Sequence, residues 1–205
     1  MKKALLIICV VLPLLGFSQN IKNKNEGIEW GLSGSLYQPF LQGNNFLAND
    51  YSVFPGVQFT LKARYNNLPG IGGVLSGNIT RINNSQFLAD FFESSRFQET
   101  GLFVYHIIPI SEKVSVEPRI GYGNFVAVNI DETQKFRLNY DRIFGQVNVS
   151  YFLMKSGDYG ECNLIGGFAY GILNGHRINI NQDDRNYVQK SSVLAFNLGI
   201  ELVFH

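Results

Sequence analysis

Apolar and polar residues alternate along most of this chain with a period of two, and that pattern leaves few folds open. In the last segment Leu194, Phe196, Leu198, Ile200, Leu202 and Phe204 share one parity, with Ala195, Asn197, Gly199 and Glu201 between them. In the first, Ile28, Trp30, Leu32 and Leu36 alternate with Glu29, Gly31, Ser33 and Ser35. Val57, Phe59, Leu61, Ala63 and Tyr65 alternate with Gln58, Thr60, Lys62 and Arg64. A strand sends successive side chains to opposite faces, so each segment has one apolar and one polar face. The same pattern returns near 71–80, 114–122, 143–153 and 163–172. Residues 99–109 also read as a strand, with Phe103, Tyr105 and Ile107 on one face, but Leu102, Val104 and Ile108 make the other face apolar too. The sum is eight strands of about 10–14 residues, longer than the globular mode of about 5–6. A membrane strand needs about 9–11 residues to cross the hydrocarbon.

The connections take turns in length. Long polar links fall near 41–52, 83–98, 129–140 and 175–191, and tight ones at 66–70, 109–113 and 155–158. Long links then gather at one end of the sheet and short turns at the other, as in membrane barrels with an even number of strands.

The first residues follow a different rule. Met1-Lys2-Lys3 is a basic start, and Ala4 to Phe17 is an apolar run of 14 residues. That is short of the roughly 20 residues of a membrane-spanning helix. Gly16 and Ser18 supply small residues at −3 and −1 before Gln19. Residues 1–18 are therefore expected to be a cleaved secretory signal, and residues 19–205 the barrel domain. Cys9 leaves with the signal, and Cys162 is then alone, so no disulfide is expected. His106, His176 and His205 lack ligand spacing, so neither metal nor cofactor is expected. A net charge of +1 argues against nucleic-acid binding, which needs a basic surplus. Charged residues make up only 16% of the chain, against roughly 25% in soluble proteins.

Alternation alone does not say which face meets lipid, since a soluble ligand-binding barrel would turn the apolar face inward. Three features favour the apolar face outward. Glu29, Lys62, Arg64, Glu117, Arg119 and Glu201 put both signs of charge on the polar face. Such charges can pair inside an eight-stranded barrel, whose interior is just wide enough for side chains. They either neutralise a filled lumen or gate a narrow path through it. Trp30, Tyr65, Tyr151 and Phe204 share the apolar parity near the short-turn end, as an interfacial aromatic girdle would. Finally, the last strand closes on Leu202-Val203-Phe204-His205.

With its signal ending Phe17-Ser18-Gln19, its eight strands and its closing Phe204, the chain resembles the small outer-membrane β-barrel proteins of Gram-negative bacteria, of the OmpA-transmembrane-domain and porin-family kind. The resemblance implies an all-β fold, an eight-stranded antiparallel up-and-down transmembrane β-barrel. It implies a monomer in outer-membrane lipid, handed to the barrel-assembly machinery through its C-terminal strand. It also implies a non-enzymatic envelope role, structural or through binding by external loops, around a side-chain-filled lumen. A narrow channel for small solutes, an outer-leaflet lipid-modifying enzyme and a secretion-system barrel stay open, because fold does not choose among them. An enzyme would need His106 beside a distant Ser76 or Ser150 and an acid such as Glu117; no signature supports this, and no catalytic residue is assigned. In the link at 83–98, Phe87, Leu88, Phe91 and Phe92 have the spacing of one face of a short helix. They suit packing over the barrel mouth or contact with a partner.

Overall fold

The computed structural model describes residues 27–83, 92, 94–131, 135–155, 160–176, 178, 182 and 184–205. The expected signal at 1–18, the turn at 156–158 and three members of the loop cluster, Phe87, Leu88 and Phe91, lie outside the described residues. In chain order the elements are β1 (Ile28–Gln42), α1 (Phe46–Asp50), β2 (Tyr51–Val53), β3 (Gly56–Tyr65), β4 (Gly70–Ile82), β5 (Ser94–Tyr105), β6 (Ile108–Pro109), β7 (Val114–Ile130), β8 (Lys135–Lys155), β9 (Gly160–Asn174), α2 (Arg185–Gln189) and β10 (Lys190–Phe204).

Among the described residues, eight long antiparallel strands close on themselves, β10 pairing β1 from Trp30↔Phe204 to Gln42↔Ser192. Short β2 extends the sheet beside β4, and β6 pairs with β7. The register fixes the geometry. From Lys190 the pairing row runs through Asn174, Asp141, Asn124, Thr100, Leu75, Phe59 and Gly34, and returns to β10 at Ile200, ten residues further along. With a rise of about 3.3 Å per residue and strands about 4.8 Å apart, eight strands with that stagger tilt by about 41°.

The apolar parity faces outward. Phe59, Leu61, Ile71, Ile79, Ile143, Phe168 and Leu198 are exposed on the barrel exterior, whereas Lys62, Glu117, Arg119 and Glu201 are buried in the lumen. Residues 99–109 do not form one strand as expected. β5 stops at Tyr105, and its faces are unequal: Leu102 and Val104 point out, at 75% and 50% exposure, while Phe103 and Tyr105 are buried inside. The lumen accepts these rings because glycines face them. A Cβ on Gly72 would overlap Phe103, and one on Gly70 would overlap Tyr105.

One expected link is largely strand, and a second is strand at its end. β7 and β8 run to 17 and 21 residues and pair as far as Ile130↔Lys135, so the link expected at 129–140 shrinks to the residues between these strands. β5 likewise begins at Ser94, inside the link expected at 83–98. The cause is a reversal of pattern. Near this end Leu138, Tyr140 and Phe97 point inward and are buried, while Arg137, Asn139 and Arg96 point outward and are exposed. Beyond the lipid, the strands follow the ordinary apolar-in rule.

That inward apolar set forms a core at the loop end. Phe46 and Leu47 of α1, Tyr51, Phe97, Phe125, Tyr140 and Val188 of α2 pack together. Asn45 caps α1 by accepting the Ala48 N–H at 3.1 Å. Tyr51 and Asn129 exchange hydrogen bonds of 2.9–3.1 Å, and the Tyr140 hydroxyl donates to the Val188 carbonyl at 3.0 Å. The described member of the expected loop cluster, Phe92, packs against this core and stacks on Phe136 at 6.2 Å.

Candidate functional site in the barrel lumen

Four of the six expected lumen charges meet in one network near the short-turn end. Lys62 reaches inward from β3, Glu117 and Arg119 from β7, and Glu201 from β10. The Lys62 ammonium donates to Glu117 and lies 2.6 Å from Glu201 Oε1; Arg119 Nε donates to Glu117 Oε1 at 2.5 Å. Glu117 and Arg119 are two residues apart on one strand, so they share the inward face. Gly31 sits directly opposite Lys62, and a Cβ there would come within 2.6 Å of Lys62 Cε; the missing side chain is the space the lysine stem occupies. Both cations also lie over rings, Lys62 at 5.1 Å from Tyr105 and Arg119 at 4.7 Å from Phe103. Two cations and two carboxylates leave the network neutral.

The other two expected charges stand apart. Glu29 and Arg64 are register partners at the short-turn mouth and form a two-pronged pair at 2.7 and 2.8 Å. His205 Nδ1 lies 3.5 Å from Glu29 Oε2.

A second ionic layer went unforeseen. Glu99 of β5 pairs with Arg142 of β8, and the Tyr37 hydroxyl of β1 lies 3.0 and 3.1 Å from the two carboxylate oxygens of Glu99. β1 and β5 are separated by β3 and β4, so this trio bridges the lumen. Arg142 lies over Phe144 at 4.6 Å. Parity could have found it: Glu99 is in phase with Tyr105, and Arg142 with Gln146. Gln146, Asn148 and Asn197 add a hydrogen-bonded polar set, at 2.8 and 3.4 Å from Gln146 Nε2. Isolated ions in a low-dielectric interior cost several kcal/mol each, so pairing within each layer is what makes the burial tolerable.

The constellation weighed around His106 does not come together among the described residues. No hydrogen bond among the described residues joins His106 to Ser76, Ser150 or Glu117, and the Ser76 hydroxyl and His106 Nδ1 have no partner. No metal-binding cluster occurs among the described residues.

On the exterior, Trp30 pairs across the closure with Phe204, Ile28 with Tyr65, and Val114 with Tyr151. Following the register, these four aromatic side chains fall within about 4 Å of one level. Phe40 is ten residues up β1 from Trp30, or about 25 Å along the barrel axis at this tilt. It packs edge-on against Phe196 at 5.9 Å. The separation matches the apolar band of about 25 Å on transmembrane barrels.

A closed, even-stranded antiparallel barrel with an apolar outside and a polar, filled inside satisfies every requirement for spanning lipid with strands. By fold, the chain is a closed eight-stranded antiparallel β-barrel of the transmembrane kind. Solved structures similar to it include a major outer membrane protein from Thermus thermophilus, at 14% identity over 87% of this chain and 100% of that one, with a TM-score of 0.55. Neisserial surface protein A is similar at 10% identity over 86% of this chain and 96% of its own, with a TM-score of 0.51. At such identities the likeness is one of fold. No family model and no curated protein matches the chain.

Proposed function

We propose that this chain is a non-enzymatic integral protein of the outer membrane, a shut barrel that serves the envelope as a structural element or through binding at its loop-end surface. Residues 1–18 act as the export signal and residues 19–205 as the barrel domain. The protein sits in lipid as a monomer, and β10 with Phe204 is the element the assembly machinery engages. The observation that carries the proposal is the burial, inside the barrel, of two self-neutralising ionic layers beneath an aromatic core. A narrow channel would need a water path through both layers and past that core. Fractionation and gel migration test the barrel: a heat-shifted band in outer-membrane fractions is expected, and an unshifted band in the soluble periplasm would sink the proposal. Planar-bilayer recording tests the shut lumen: a silent bilayer is expected, and steady unitary conductance would put the channel in its place.

A further inference from the structure

Near the loop end, the outward faces of the strands carry a group of cations. Arg81 on β4, Arg96 on β5, Arg137 on β8 and Lys190 on β10 are all exposed on the exterior. Arg96 and Arg137 lie on one pairing row, with Val128 of β7 between them, and Arg81 is two residues beyond Ile79, the register partner of Arg96. None of the ion pairs among the described residues engages any of the four. Asp141 of β8 lies 3.0 Å from His176 Nδ1.

Their height identifies the partner. Each residue climbs about 2.5 Å along the axis at this tilt, and each strand step from β3 towards β8 adds about 3 Å. Counted up from Tyr65 of the girdle, Arg81 and Arg96 lie about 31–33 Å away, and Arg137 about 37 Å. The apolar band ends at about 25 Å. The cations therefore stand about 6–12 Å beyond the hydrocarbon, in the head-group layer on the long-loop side. Guanidinium groups match phosphate with paired, charge-assisted hydrogen bonds.

Resting on the membrane placement proposed above, we propose that Arg81, Arg96 and Arg137 form a docking surface for the phosphate groups of outer-leaflet lipid, held from the side of the barrel rather than at its mouth. The test uses the full barrel in phosphatidylcholine vesicles doped with bis-phosphorylated lipid A, and compares wild type with Arg81→Gln/Arg96→Gln/Arg137→Gln. Lipid A retained per barrel after mild detergent extraction is read by native mass spectrometry. Retention is expected to fall about fivefold for each arginine removed, the equivalent of about 1 kcal/mol per basic group at a membrane surface. Lysine at the same three positions should restore most of it. Heat-shifted migration of the triple variant confirms that the barrel still forms, because the substituted groups are exposed. Retention unchanged in a folded triple variant overturns the docking surface while leaving the membrane barrel intact. Equal retention of dephosphorylated lipid, or capture of a soluble acidic polysaccharide in preference to the vesicle lipid, overturns it as well. A wild-type chain with no heat-shifted form removes the barrel itself, and the docking surface with it.

Discussion

Glu117→Gln changes one atom type inside the lumen and should be among the most costly single changes in the barrel. Glu117 is the carboxylate shared by both cations of the lower network, and it is only 4% exposed. Lys62 keeps Glu201 at 2.6 Å, but Arg119 has no second carboxylate in the network. Losing one partner of a buried pair costs about 3–5 kcal/mol because the other charge stays buried. The Arg119–Phe103 contact at 4.7 Å is present before and after the change and so does not offset the loss. A net loss of about 3–5 kcal/mol follows. Glu29→Gln provides the contrast. Its pair with Arg64 sits at the mouth, with side chains 15% and 16% exposed, and breaking it should cost about 1 kcal/mol or less. Urea unfolding in detergent micelles reads both variants through Trp30, the one tryptophan of the chain, which leaves the apolar barrel exterior on unfolding. Arg119→Gln added to Glu117→Gln restores charge balance and should recover part of the loss. If Glu117→Gln unfolds at the same urea concentration as Glu29→Gln, the lumen is hydrated and the electrostatic reasoning fails.

Other outcomes follow from the same geometry. Gly121→Ala should destabilise by about 1–3 kcal/mol, because a Cβ there would lie 2.5 Å from the Leu102 carbonyl oxygen and overlap the Phe144 ring; Gly77→Ala, with open space around it, should stay within about 0.5 kcal/mol in the same urea titration. Tyr37→Ala/Glu99→Ala/Arg142→Ala removes the upper ionic layer without leaving an unpaired charge. Leak conductance should stay at the silent wild-type level even when the α1 segment is also deleted, since the lower network of Lys62, Glu117, Arg119 and Glu201 still closes the lumen. Burial holds the Asp50 carboxyl of α1 above the usual carboxylate range, partly offset by a hydrogen bond from Tyr187. The folded state then binds the extra proton, so stability should fall as pH rises from about 4 through the raised folded value. Asp50→Asn should flatten that slope and stabilise the loop end at neutral pH, measured by amide exchange of α1.

Much of the barrel is legible because lipid imposes a strict rule on one face. Where the outside is hydrocarbon, as at Val57, Phe59 and Leu61, every second residue must be apolar, and strand and orientation follow together. The rule lapses in two places. At Phe103 and Tyr105 the inside is apolar as well, since glycines opposite make room for rings, and alternation can no longer distinguish the faces. At Leu138 and Tyr140 the strand has left the lipid, so its inward residues become the apolar ones and the pattern inverts. Glu99 and Arg142 sit beside these two breaks, which is why the upper ionic layer escaped notice while Lys62, Glu117, Arg119 and Glu201 stood out. Even for those four, parity names the face but not the partner. Pairing depends on the ten-residue stagger, which only tertiary closure sets.

The closure between β1 and β10 also dictates an order of events. Trp30 meets Phe204, so the contacts that finish the cylinder join the two most distant strands in the chain. Loop closure over such a length is entropically slow and cannot begin until the last strand has been delivered. Until then two strands present unpaired amides and carbonyls, which hydrocarbon penalises by several kcal/mol for each group. Insertion strand by strand is thus uphill until the final strand arrives, and the journey into the membrane needs either near-simultaneous docking of all eight strands or a catalyst that shelters both raw edges.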